Sequence, residues 1–167
     1  CPITELDTSA TLYEKLAELG PASLLDALNL IAKGEHQSIP QNDELSTYAT
    51  KLDKAEAELD WQLPAAVLDR KIRAYIPWPV AQFTFKEGTK EHRIRVWQAS
   101  VVESNDSNKS GTIIQTDKHG IVVATGEHAL RIESLQLPGK KALSAGDVLN
   151  SRSAWFAPDL SINGSAE

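Results

Sequence analysis

The chain has 167 residues, 41% hydrophobic and 24% charged, with a mean hydropathy of -0.29, which is the size and composition of one soluble domain or of a small domain with appended elements. No apolar run approaches the ~20 residues of a membrane helix, no secretory leader is expected, and Cys1 is the single cysteine, which excludes an intrachain disulfide and a multi-thiolate zinc site. The formal charge of -6 is uneven: residues 1–60 hold four lysines and no arginine against twelve acids, and every arginine lies in 61–167.

In chain order, Ser9 is a candidate cap for a helix with Leu12, Leu16 and Leu19 at helical spacing and Glu14, Lys15 and Glu18 on the wet side. Gly20-Pro21 is expected to end it and to open a second helix, since proline suits a first helical turn. That second helix carries Leu24, Leu25, Leu28 and Ile31 and stops near Lys33-Gly34. Two short helices cannot bury these leucines against each other, so residues 1–35 lack the surface on which they pack. Residues 36–60 are polar and proline-interrupted, the composition of a linker.

A second domain is expected over 61–160. Pro64 opens a helix whose Val67, Leu68, Ile72 and Tyr75 form an apolar stripe, with Arg70, Lys71 and Arg73 on its other faces; Pro77-Trp78-Pro79 ends it. Five strand patterns follow, at 80–86, 93–103, 111–116, 121–125 and 129–137, separated by turn-rich stretches. This mainly β pattern predicts a five-stranded OB-like (Greek-key) barrel with flanking helices. Ser144 and Asp147 predict a brief capped helix through Asn150, and residues 161–167 a disordered tail.

Enzyme machinery is not legible. There is no phosphate-binding loop, nucleophile elbow or zinc-peptidase motif, and His36, His92, His119 and His128 stand apart from one another. Leu137-Pro138-Gly139-Lys140-Lys141 sets a cation pair on a turn, with Arg152 just after the short helix. Alone, such a pair reads as a solvated loop; on an OB-like barrel it points to phosphate, by fold analogy. Of Trp61, Trp78, Trp97 and Trp155, most are read as core or domain-edge residues, with base stacking as the lesser alternative.

Residues 72–79, Ile-Arg-Ala-Tyr-Ile-Pro-Trp-Pro, resemble the start of the C-terminal domain of the methionyl-tRNA formyltransferase family. Residues 47–52 and 55–61 resemble that family's linker, and 135–144 with Leu149-Asn150 its Gly-Lys-Lys stretch. The matches run in the right order over nearly the whole chain. The resemblance implies that 1–35 is a helical remnant of a Rossmann-like formyltransferase domain, 36–60 the linker and 61–160 an OB-like tRNA-binding domain. It implies a monomeric enzyme of the bacterial cytoplasm that moves a formyl group from 10-formyltetrahydrofolate to the amino group of initiator methionyl-tRNA. The family's Asn-His-Asp catalytic set has no matching position, so neither a catalytic residue nor a cofactor is expected in this chain, and the missing N-terminal catalytic domain is its expected partner. Lys51 and Lys54 carry over from the linker motif as tRNA contacts; Arg70, Arg73, Lys140, Lys141 and Arg152 join them from charge and placement. The alternatives are a fragment of a sugar-nucleotide formyltransferase with a structural C-terminal domain, and a free OB-type oligonucleotide binder.

Overall fold

A computed structural model describes residues 1–105 and 108–162, in two compact units, Cys1–Leu52 and Asp53–Glu167. The first unit is built on one helix, α1 (Ser9–Lys33). Its cap is Thr8, one residue before the expected Ser9. Thr8 Oγ1 accepts from the Thr11 N–H at 3.2 Å, and Thr11 Oγ1 accepts from the Thr8 N–H at 2.9 Å, a reciprocal capping box. Asp7, buried beside the cap, takes the Lys15 ammonium on both carboxylate oxygens at 2.7 and 2.8 Å and the Thr4 N–H at 2.7 Å. Lys15 first, then Thr4, hold the Asp7 carboxyl well below the usual carboxylate range.

The two expected helices are one, because α1 continues through Pro21. Proline removes one helical donor and its ring crowds the Cβ of the residue before it. Gly20 has no Cβ, which eases that crowding. The helix stops at Gly34, whose φ of 72° lets Gly34 and Glu35 donate to the Ile31 and Leu30 carbonyls, both at 3.0 Å, a Schellman ending. No residue of α1 is buried. Leu16, Leu19, Leu24, Leu25, Leu28, Leu30 and Ile31 are between 46% and 62% exposed, and with Leu12 they spread over roughly two-thirds of the helix circumference. That breadth belongs to a helix enclosed on most sides, not to one with a single wet face.

The second unit contains α2 (Ala65–Ala74), β1 (Gln82–Glu87), β2 (Lys90–Val102), β3 (Ile113–Asp117), β4 (Gly120–Ala124), β5 (Ala129–Gln136), β6 (Ala142–Ser144) and α3 (Ala145–Arg152). One antiparallel sheet runs β1-β2-β5-β4-β3, with β6 on β5. It is the expected mainly β architecture with flanking helices, a curled half-barrel carrying a sixth, three-residue strand. β2 produces the curl. Its first half pairs with β1 from Glu87↔Lys90 to Gln82↔Arg95, its second half with β5 from Arg95↔Gln136 to Val102↔Ala129, and the register shifts on either side of Gln98. A bulge of this kind bends a strand and sharpens its twist.

The core lies on the inner face of this sheet. Ile94 and Val96 point in from β2, Ile121 and Val123 from β4, and Leu130 and Ile132 from β5, with Leu68 and Ile72 of α2 over them. Trp61 meets Phe83 edge to face at 5.8 Å, the arrangement aromatic quadrupoles favour.

Segments outside the named strands cover both sheet edges. Leu59 donates to the Gln82 carbonyl at 2.8 Å along β1. Along β3, Ile113 donates to Leu160 at 2.8 Å, Asp159 to Ile113 at 2.9 Å, and Ile162 to Gly111 at 2.8 Å. Two expected boundaries move as a result. Residues 53–60, expected as linker, join the domain, with Ala57 and Leu59 buried, because the exposed edge of β1 needs a partner. Ser161 and Ile162, expected in the disordered tail, are held by Thr112 and Gly111 just before β3, with Ile162 in the core; residues 163–167 of that tail lie outside the described residues.

Gly126, between β4 and β5, donates to the Leu63 carbonyl at 3.1 Å while Ala65 donates to the Glu127 carbonyl at 3.0 Å, which seats the start of α2. A Cβ on Gly126 would overlap the Gln62 carbonyl oxygen. Gly126→Ala should therefore cost about 1–3 kcal/mol, read as a lower urea midpoint by tryptophan fluorescence. Limited proteolysis should cut within 35–52 and leave a product starting near Asp53. A stable product starting after Leu59 would contradict the covered β1 edge.

Candidate functional site

Period-two alternation along β2 sends Arg93, Arg95 and Trp97 to the face opposite Ile94 and Val96. Arg95 stands in register between Gln82 of β1 and Gln136 of β5. Trp97 Nε1 donates to Gln136 Oε1 at 3.1 Å, and Gln136 Nε2 donates to the Lys140 carbonyl at 2.7 Å. The outer sheet face is thereby tied to the turn 137–141. Lys140 N–H closes that turn on the Leu137 carbonyl at 3.1 Å, and Gly139 supplies a φ of 69° there, a conformation glycine adopts without steric penalty.

The Pro77-Trp78-Pro79 run, with both proline bonds cis, follows α2. Val80 after it is buried with a φ of 66°, a left-handed backbone that a β-branched residue keeps only when its surroundings hold it there. Its N–H is fixed on the Tyr75 carbonyl at 3.0 Å. Together with the 3-10 turn Lys54–Ala57, this segment and β2 enclose a cleft of about 510 Å³ whose lining includes Lys54, Glu58, Trp78, Gln82, Arg93, Arg95 and Trp97. A second cleft of about 210 Å³ lies between Arg93, Arg95, Gln136 and residues 137–139. A third, of about 410 Å³, is lined by Leu137, Lys140, Lys141, Leu143, Val148, Ser151 and Arg152. Arg93 and Arg95 are common to the first two and Leu137 to the last two, so the three form one run along the domain.

Of the cations expected from sequence, Lys54 lines the first cleft and Lys140, Lys141 and Arg152 the third. Arg70 and Arg73 line none of the three. They sit on α2, where Arg73 Nε is bonded to Asp69 at 3.1 Å. Lys51 belongs to the unit Cys1–Leu52. Charge and placement along the sequence miss Arg93 and Arg95, although they are exposed and no carboxylate among the described residues forms an ion pair with them. Their signal is the alternation Arg93-Ile94-Arg95-Val96-Trp97 itself. The tryptophans divide evenly: Trp61 and Trp155 are buried, whereas Trp97 is half-buried and Trp78 49% exposed in the cleft. Lys71 has another task. Its ammonium donates to the Glu58 carbonyl at 2.7 Å, and burial lowers its pKa despite Asp60, Glu56 and Glu58 nearby.

At the far end, the Arg152 guanidinium lies 5.0 Å over the Trp155 ring, within cation–π range. Trp155 stacks on Phe85 at 5.1 Å and donates its indole N–H to Glu87 Oε1 at 2.9 Å; Glu87 Oε2 meets His92 Nε2 at 3.2 Å. The indole N–H is the main cause holding the Glu87 carboxyl below its ordinary value, with His92 and Arg152 assisting. This cluster steadies Arg152 at the rim of the third cleft. Among the described residues no group of three or more side chains is arranged to hold a metal ion.

Residues 51–153 match the family described as formyl transferase, C-terminal domain. The chain is 58% identical over 168 residues to the methionyl-tRNA formyltransferase of Colwellia psychrerythraea, a match covering 98% of this chain and 51% of that protein. The chain thus spans about half the length of this curated relative. Among solved structures, HypX from Aquifex aeolicus in complex with tetrahydrofolic acid is similar with a TM-score of 0.61 at 18% identity, over 89% of this chain and 26% of that one. A multiply substituted HypX variant gives 0.62 at 19% identity, over 95% and 28%. At such identities the likeness is one of fold.

The Glu87 shift sets the sign of a pH effect. A carboxyl whose folded pKa is lowered contributes stability above its ordinary value of 4.5 and loses it as pH falls through and below that value. Glu87→Gln should therefore unfold at a lower temperature than the parent near neutral pH. The difference should shrink between about pH 6 and about pH 3 in thermal melts followed by tryptophan fluorescence.

Proposed function

The chain belongs to the formyl transferase C-terminal domain family, and from that premise we propose that it is the C-terminal part of a methionyl-tRNA formyltransferase whose three joined clefts hold the tRNA backbone. One observation carries the reading. In a chain of net charge -6, Lys54, Arg93, Arg95, Lys140, Lys141 and Arg152 line a single run of clefts. Cations gathered in this way against the overall charge suit a row of phosphates, which fix position and orientation and carry no sequence information. The 58% identity to a methionyl-tRNA formyltransferase supports the choice of RNA. Lys51 stays a tRNA contact of the first unit, carried over from the linker motif; Arg70 and Arg73 stay outside the clefts.

On this reading the whole protein transfers a formyl group from 10-formyltetrahydrofolate to the amino group of initiator methionyl-tRNA, as a monomer in the bacterial cytoplasm. Among the described residues no helix is long and apolar enough to cross a membrane. The residues of the first cleft do not fit the transfer itself. The first cleft is lined by no histidine, and its carboxylate, Glu58, is bonded by Gln82 Nε2 at 3.3 Å. No transfer step is therefore assigned to these residues; the donor and the acid–base groups belong to the half of the relative's length that this chain does not span. The broad apolar arc of α1 is the surface which that half encloses.

Filter binding to initiator tRNA across a salt titration tests the reading. The chain alone should bind with a Kd of roughly 10⁻⁴–10⁻⁶ M at physiological salt. Replacing Lys140 and Lys141 together with Ala should lower the slope of log affinity against log salt by about one unit per lost contact, with the melting curve unchanged. A slope unaltered by the double substitution would overturn the assignment of this turn.

A further inference from the structure

We propose that the cleft bounded by Trp78 and Trp97 receives one unpaired nucleobase, with Arg93 and Arg95 holding the phosphates that flank it. The proposal deepens the reading of the interface as an RNA site and rests on it. A tryptophan 49% exposed leaves apolar surface in water, and Trp78 is also restrained. It sits between two prolines whose φ is fixed and just before a buried, left-handed Val80 whose N–H is bonded to Tyr75. Trp78 is therefore a platform presented with little freedom to fold away. Trp97 lines the same cleft with its indole N–H already satisfied by Gln136. What remains to it for a ligand is the face and edge of the ring.

The charges around these rings separate the base from its phosphate. Lys54 and Glu58, the latter steadied by Gln82, both line the cleft; a phosphate beside Lys54 would also meet the Glu58 carboxylate, whereas a base amino group would find an acceptor there. Arg93 and Arg95 stand where the first cleft joins the second, so phosphates on the joining ridge reach both guanidiniums while the base turns inward. A cleft of about 510 Å³ falls within the range of small-molecule sites. Paired bases show a groove only their edges; stacking on an indole needs the face of an unpaired or terminal base.

The test uses the full chain and three probes: tetraadenylate RNA, a ribose-phosphate oligomer of the same length without bases, and initiator tRNA. Tetraadenylate should quench tryptophan fluorescence and bind about tenfold more tightly than the abasic oligomer. Trp78→Leu should abolish that advantage and Trp78→Phe keep most of it, with the salt dependence unchanged in both. Equal binding of the tetraadenylate and abasic oligomers by the parent chain would overturn the proposal without recourse to any variant. So would tetraadenylate binding indifferent to Trp78→Leu. Salt-dependent tRNA binding alongside either result would leave the tRNA reading standing. Base-dependent, Trp78-dependent oligomer binding with no binding of tRNA would keep the cleft and overturn the tRNA reading.

Discussion

The pleat of β2 is the constraint on which the rest of the second unit depends. Thirteen residues must serve two partners, β1 along one half and β5 along the other, with a register shift around Gln98 to turn between them. Alternation within that strand assigns Ile94 and Val96 to the core and Arg93, Arg95 and Trp97 to the cleft. A slip of one residue would exchange the two sets, burying guanidiniums without partners and stranding isoleucine and valine in water. Core and interface are thus specified by the same register, and the large desolvation penalty of a buried charge protects the position of the site.

Electrostatic partnerships sort the cations by use. Lys15 is held by Asp7, Arg73 by Asp69 and Lys71 by a backbone carbonyl, and each steadies local structure. Arg93 and Arg95 form no ion pair with a carboxylate among the described residues, and Arg152 rests on an indole, which leaves its charge in place. Net charge conceals this division. An acidic chain can offer a cationic track when its acids are either engaged elsewhere or kept off one face of the sheet.

Much of the fold is legible because local signals agree with the tertiary arrangement. Alternation around 94–97 and 130–133 marks strands, Pro64 precedes α2, and Ser144 with Asp147 marks the start of α3. The failures are tertiary in origin. Helix α1 passes Pro21, where Gly20 removes the Cβ part of the proline clash, a pairwise steric fact that proline statistics hide. Residues 53–60 and 161–162 look like linker and tail because their order comes from edges of strands far away in sequence. For the site, charge alone finds Lys54, the lysine turn and Arg152. Arg93, Arg95 and Trp97 are visible as one face only once β2 is known to bend around Gln98 with its outer side uncovered, and Trp78 only once the proline run is seen to hold it outward.

The two edge covers also set a schedule for biosynthesis. The β1 edge is closed by Glu58 and Leu59, which precede the sheet, so its partner is already present when β1 leaves the ribosome. The β3 edge is closed by residues 159–162, which are made after every strand of the sheet. Until Ile162 emerges, the nascent domain carries one unpaired edge next to an incomplete core, the condition under which chains pair with their neighbours. A chain cut short before residue 159 would hold a sheet whose hydrogen bonds are nearly all made and whose solubility is not yet secured.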